Sequence, residues 1–265
     1  MVWGKRVRLN RITRKGRMLC IPMDHGVTVG PIKGLRRIYE TIKKLERGGV
    51  TAILAHKGIL KHLPEPVNSG IIMHASASTS LSTSPNWKVQ VAVVEEAIRL
   101  GADAVSVHIN VGNKDEQHML AKLGAIADAC DEWGIPLIAM MYPRGENVKN
   151  PKDPEVIAHA ARIGAELGAD IVKVPMPSFN PEDIRLIVEG CPAPIVAAGG
   201  PKMDDDRKVL ELARAVIDAG GIGVTFGRNV FQHEDPEAMA RALRAIIIEN
   251  ATVDEALKIL KEGTS

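Results

Sequence analysis

The chain has 265 residues, 45% of them hydrophobic and 25% charged, with a formal net charge of +2. That is ordinary for a globular protein with one barrel-sized core, and so small a net charge gives no pull toward nucleic acid or an anionic membrane. No apolar run approaches the eighteen or so residues that would cross a bilayer, and Cys20, Cys130 and Cys191, odd in number and without a Cys-x-x-Cys, read as buried free thiols of a reducing cytoplasm.

Residues 1–17 hold seven Lys or Arg and no acid. A transit peptide or a nucleic-acid arm has the same look, but Val2, Trp3, Val7, Leu9 and Ile12 are spaced to press on something. The segment therefore reads as a short plug for one end of the fold, its charges solvated. From residue 18 onward the chain repeats one phrase: four to six apolar residues, then reactive or glycine-rich residues, then a helical segment, then a Gly-Ala-Asp or Gly-Gly turn into the next run. Strands are expected at 18–23, 50–55, 70–73, 103–107, 136–141, 169–172, 194–198 and 221–226. Strands alternating with helices imply parallel pairing, and eight such units close into an α/β (β/α)8 TIM barrel covering 1–265 as one domain. An open doubly wound sheet is the competing architecture, but no Gly-x-Gly-x-x-Gly turn follows the first strand. With only eight aromatics, the core must be Ile, Val, Leu and Ala. Residues 252–263 read as an extra helix, free to pack on a neighbour.

In a barrel, the residues leaving each strand converge on one mouth. Here these are Asp24-His25, His56-Lys57, His74, His108 with Asn110, Tyr142 with Arg144, Lys173, Gly199-Gly200 and Gly227-Arg228. Each has an unremarkable alternative. A lysine at a strand end is usually solvated, Asp before Gly is common turn chemistry, and a tyrosine after an apolar run is often a rim residue with its hydroxyl in water. Residues 75–85, rich in Ser, Thr and Ala, read as an excursion over the mouth whose hydroxyls could touch substrate. Two glycine-bearing loops after the last two strands leave N–H groups open to an anion, with the start of a helix and Arg228 to grip phosphate. The four histidines after consecutive strands, His25, His56, His74 and His108, suggest a zinc site as a second chemistry, though no short-spaced pair supports it. A non-catalytic phospho-ligand sensor is a third.

Taken together, Asp24-His-Gly, Tyr142-Pro-Arg-Gly, Ala169-Asp-Ile-Val-Lys173, Gly199-Gly-Pro-Lys and Gly227-Arg-Asn-Val-Phe-Gln resemble the archaeal-type class I (Schiff-base) aldolase family over nearly the whole chain. The resemblance implies a Schiff-base lysine at Lys173, a proton-donating Tyr142 and a proton-accepting Asp24. It implies substrate contacts from Asp24, His25, Gly26, Val27, Thr28, Tyr142, Pro143 and Arg144, and phosphate held by Gly199, Gly200, Gly227 and Arg228. It also implies no cofactor or metal, a sugar-phosphate donor with an aldehyde acceptor, and ring-like homo-oligomers, decamers among them.

Within the family the likeness is greater to the synthases that join L-aspartate 4-semialdehyde to the enamine of a 1-deoxy-hexo-2,5-diulose 6-phosphate, on the alternative 3-dehydroquinate route to aromatic amino acids. The fructose-bisphosphate aldolases are the alternative; they carry a tryptophan where Met140 stands here. After Lys173 this chain runs Val-Pro-Met-Pro-Ser-Phe-Asn-Pro, where the family has a Tyr-Thr-Gly-Asp-like loop. The chemistry can also be built from the residues. Apolar Ile171, Val172 and Val174, with Arg228 nearby, should favour a free amine at Lys173 that adds to a ketone, with Tyr142 and Asp24 moving protons.

Overall fold

The computed structural model describes residues 2–263; Met1 of the N-terminal segment and residues 264–265 of the expected domain lie outside the described residues. Eight parallel strands, β1 (Met18–Pro22), β2 (Ala52–His56), β3 (Gly70–His74), β4 (Ala104–Val111), β5 (Leu137–Pro143), β6 (Ile171–Pro175), β7 (Ile195–Ala198) and β8 (Gly223–Thr225), pair in chain order and close on themselves. The closing pair is β8 with β1, Gly223 opposite Met18 and Thr225 opposite Cys20. The open-sheet alternative is thereby set aside.

Alternation along the strands builds two cores. Met18, Cys20, Ala52, Leu54, Ile72, Ala104, Ile138, Met140, Ile171 and Val196 fill the barrel interior, whereas Leu19, Ile53, Val105, Ala139, Val172 and Val174 turn outward to the helices. Each fully buried Ile, Leu or Val contributes roughly 1.5–3 kcal/mol. The helices have clear starts. Asp153, Asn180, Asp205 and Asp235 each accept a hydrogen bond from the N–H two residues on, a cap contributing about 1 kcal/mol. After β2 the helix is a single short piece (Lys57–Lys61), followed by the Pro64 and Pro66 loop.

The N-terminal helix (Trp3–Ile12) lies across the barrel's lower end. Ile12 is fully buried in the interior cluster and Leu9 packs beside it, but Trp3 is 73% exposed and Val2 and Val7 also face solvent. Its charges are not all solvated. Lys5 is buried, with its Nζ 2.8 Å from Asp170 and 2.5 Å from Asp131, and Arg11 pairs with Asp103. The two repeated Gly-Ala-Asp turns thus acquire a purpose. Asp103 accepts from the Ile71 N–H and Asp170 from the Leu137 N–H, so each aspartate ties the start of the preceding strand to a cation of the helix below. The last helix (Val253–Gly263) opens on a reciprocal cap between Thr252 and Glu255 and packs on this chain's own helices Asp206–Asp218 and Pro236–Glu249.

Candidate active site

Several strands run further than their apolar stretches. β4 continues through Ser106, His108 and Asn110, and β5 through Tyr142 and Pro143. Lys173 therefore does not leave β6 but sits inside it, in register with Met140 on one side and Val196 on the other. Its parity is that of Ile171, so the side chain enters the barrel rather than the helical shell. Lys173 is only 5% exposed, its Nζ lies 3.9 Å from the Met140 Sδ, and no carboxylate lies within 4 Å of it among the described residues. Tyr142 was expected at the neighbouring strand end beside Lys173. The register instead pairs Lys173 with Met140, which places Tyr142, two residues further along β5, roughly 7 Å of strand nearer the mouth than the Lys173 backbone. A lysine side chain spans much of that gap. The phenol ring stacks on His108 (centroids 4.7 Å apart, 25° between planes) and lies 5.3 Å from the exposed Arg144 guanidinium.

Asp24 follows β1 at the start of a short helix (His25–Val29), yet its carboxylate makes no capping bond, so plain turn chemistry does not account for it. It lies 3.5 Å from His25 Nδ1 and 3.9 Å from His74 Nε2. Burial alone would raise its pKa, but His74, His25, Lys173 and His56 outweigh that and hold the carboxyl below the usual carboxylate range. Burial also governs the imidazoles. It pushes His74 down to about 3 against the pull of Asp24, and it lowers His25, His56 and His108 as well. The four rings are therefore neutral at pH 7. His74 Nδ1 is shared with Ser106 Oγ at 2.8 Å and His108 Nε2 with Asn110 Oδ1 at 2.9 Å. Among the described residues no group of three His, Cys, Asp or Glu side chains is arranged to hold a metal ion.

The loops after β7 and β8 are zipped together. Asn229 donates from Nδ2 to the Gly199 carbonyl at 2.8 Å and accepts from the Met203 N–H, while Arg228 donates to the Gly200 carbonyl at 2.9 Å. Glycine is required here for space and for conformation. Gly200 has φ +64°, and a Cβ on Gly227 would meet His25 Cε1 at 2.8 Å and the Pro22 carbonyl oxygen at 3.0 Å. The helix after β8 is a single turn (Arg228–Phe231), so little dipole assistance comes from it. Arg228 Nε and His25 Nδ1 are buried without a hydrogen-bond partner among the described residues; the 3.5 Å approach of His25 to Asp24 lacks bonding geometry. Gly26 and Val27 are exposed beside them, and Thr28 takes the Ser80 N–H on its carbonyl.

Two lysines here are illegible in the sequence. Residues 75–91 do cross the mouth, with Ser76–Ala77 and Val89–Gln90 paired as a small antiparallel ribbon. That ribbon carries Lys88, 7% exposed, with its Nζ on Ser78 Oγ at 2.5 Å. From the helix after β4, Lys122 donates to the Lys88 carbonyl at 2.6 Å and the His108 carbonyl at 3.0 Å. Burial, then the charge of Lys88, brings Lys122 down to about 7. No apolar run or motif marks either residue; only tertiary pairing buries them.

A closed parallel barrel that presents a buried lysine, a carboxylate and a phenol at one mouth, with open N–H groups and an arginine beside them, defines an enzyme class suited to carbonyl chemistry on phosphorylated substrates. The chain belongs to the DeoC/LacD aldolase family, whose model matches residues 18–233. It is 42% identical over 257 residues to 2-amino-3,7-dideoxy-D-threo-hept-6-ulosonate synthase 1 of Archaeoglobus fulgidus, covering 96% of this chain and 95% of that one. It is 40% identical over 254 residues to 2-amino-4,5-dihydroxy-6-oxo-7-(phosphonooxy)heptanoate synthase of Streptomyces griseus, covering 94% and 92%. The fold matches an archaeal fructose-1,6-bisphosphate aldolase, solved with its catalytic lysine covalently bound to the carbinolamine intermediate, with a TM-score of 0.85 and 30% identity over 91% of this chain and 98% of that one.

Proposed function

We propose that the protein is a Schiff-base synthase that joins the enamine of a sugar-derived ketone to L-aspartate 4-semialdehyde, forming 2-amino-3,7-dideoxy-D-threo-hept-6-ulosonate. The observation that carries this reading is an unpaired lysine inside the barrel with Asp24 and Tyr142 nearby, in a chain about 40% identical to two synthases of seven-carbon amino acids. Both named products have an amino-acid head and a ketone at C6. Undoing an aldol bond between C4 and C5 leaves a four-carbon amino-acid aldehyde in each case, so the acceptor is common and the relatives differ at C7.

The amine of Lys173 adds to the donor ketone, Tyr142 supplies the proton that lets water leave, and the iminium draws electrons from the adjacent carbon–carbon bond. Asp24 takes the hydroxyl proton as that bond breaks. With a 1-deoxy-hexo-2,5-diulose 6-phosphate, dioxopropyl phosphate departs and the enamine attacks the aldehyde. Gly199, Gly200, Gly227 and Arg228 serve as phosphate contacts, which fits the partnerless Arg228 Nε; His25 to Thr28, Pro143 and Arg144 line the rest. The chemistry needs no resident cofactor. The same lysine suits fructose 1,6-bisphosphate cleavage, a second reading that the archaeal aldolase likeness favours. Exposed Val2, Trp3 and Val7 suit self-association into a ring of subunits, and the buried free thiols of Cys20, Cys130 and Cys191 suit a reducing cytoplasm.

Assaying fructose 1,6-bisphosphate in parallel with the diulose phosphate plus L-aspartate 4-semialdehyde tests the assignment. The seven-carbon amino acid should form, and borohydride should fix a donor-derived mass on the peptide carrying Lys173. Turnover insensitive to borohydride in the presence of donor would remove the Schiff base from the account.

A further inference from the structure

Lys88 is a nine-tenths buried ammonium whose Nζ has Ser78 Oγ as a partner and no carboxylate within pairing distance among the described residues. It hangs over β4, held by the Lys122 bond to its carbonyl and by Asn110, which donates from Nδ2 to the Asn86 carbonyl at 2.6 Å. Its electrostatic neighbours belong to the mouth: Asp24, His56, His108 and Arg144. In an eight-stranded barrel β4 lies opposite β8. The Lys88 and Arg228 cations therefore stand on opposite sides of the mouth, with Asp24 and Lys173 between them. A buried cation with spare donors and no counter-ion is costly unless an anion joins it, and the phosphate loops are on the far side.

Resting on the aldol reading above, we infer that Lys88 binds the anionic end of the acceptor aldehyde, the carboxylate of L-aspartate 4-semialdehyde, and so selects charged over neutral acceptors. The ribbon brings the charge in from outside the barrel, and Lys122 fixes where it stands. This divides the mouth between a donor side, served by the β7 and β8 loops, and an acceptor side, served by Lys88.

The test compares wild type, K88M and K88R on three acceptors, L-aspartate 4-semialdehyde, glyceraldehyde 3-phosphate and uncharged butanal, while borohydride trapping of the donor on Lys173 is followed separately. K88M should lose about 10- to 100-fold in kcat/KM with the charged aldehyde, as expected for a removed hydrogen bond to a charged group, mostly through KM. Butanal turnover and donor trapping should stay at wild-type levels, and K88R should keep the preference for charge. An equal loss with butanal, or weaker donor trapping, would make Lys88 a merely structural residue and overturn the inference. So would a wild-type enzyme that does not prefer the charged aldehyde over butanal, a result that depends on no variant folding. If wild type accepts glyceraldehyde 3-phosphate but not L-aspartate 4-semialdehyde, the synthase reading fails. Lys88 is then judged separately, on the K88M loss with that phosphate relative to butanal.

Discussion

His74 should make the protein acid-labile in a way that one substitution removes. Its side chain is 4% exposed, burial drives its pKa to about 3, and its Nδ1 is shared with Ser106 at 2.8 Å. An unfolded histidine titrates near 6.5, so between those values the unfolded chain binds the extra proton and stability falls as pH falls. The neutral-histidine contribution is fully present above about 6.5 and is lost progressively as pH drops from there toward the folded value. At pH 4.5 the unfolded imidazole is about two units below its pKa while the folded one is still neutral, which amounts to about 2.7 kcal/mol. Asp24 adds little in this window, because an unfolded aspartate titrates near 3.9 and its folded value is lower still. Urea unfolding of wild type and H74N at pH 7.5 and 4.5, at constant ionic strength, isolates the term, since the other histidines are common to both proteins. H74N should lose about 2.7 kcal/mol less than wild type over that interval. Losses that agree within about 0.5 kcal/mol, well below the linkage magnitude, would mean that His74 is not held neutral and that the burial argument is wrong.

Three further outcomes follow from the same structure. Tyr142→Phe should keep the fold and donor affinity but slow turnover by about 10²- to 10⁴-fold, the usual worth of a positioned acid, with borohydride-trapped adduct forming correspondingly slowly. Lys5→Ala should cost about 3–5 kcal/mol in denaturant unfolding, because it strands the nearly buried Asp170 carboxylate. Arg6→Ala, for which no ion pair is present among the described residues, is the control. Gly227→Ala should raise the inhibition constant of inorganic phosphate several-fold, because the new Cβ meets a backbone oxygen, Pro22 O at 3.0 Å, that cannot step aside; unchanged phosphate inhibition would detach this loop from anion binding.

The barrel was legible because each strand contains four or so apolar residues and each turn its glycine. The ends of strands were not, and the reason is chemical. A strand read from hydrophobicity stops where the apolar run ends, but the upper layers of this barrel interior are polar, so His108, Asn110, Tyr142 and Lys173 lie within strands rather than beyond them. Strand order alone gathers the lysine, tyrosine, aspartate and glycine loops at one mouth, which is why they stand out as candidates in the sequence. Lys88 does not, because a lysine between a tryptophan and a valine in a polar stretch looks solvated until the ribbon pairs. Lys5, expected to be solvated, is buried for a related cause: its partner Asp170 sits 165 residues away.

A carboxylate held below its usual range is a poor base, which sets a problem for the role assigned to Asp24. The charges around it supply the answer. With His74, His25 and His56 neutral at pH 7, a positive charge on the Lys173 nitrogen is the remaining acidifying influence among those acting on Asp24. That charge is present in the iminium and disappears as bond cleavage delivers electrons to give the neutral enamine. On the proposed mechanism the proton affinity of Asp24 therefore rises during the step in which it would accept a proton and falls again when the next iminium forms. Lys173→Met removes the coulombic influence of this lysine on Asp24 and should move the Asp24 carboxyl upward, toward the ordinary value, in a ¹³C titration of labelled aspartate side chains. An Asp24 resonance that titrates at the same pH in wild type and K173M would show that the lysine does not control the carboxylate, and the proton would then have to be handled by another group.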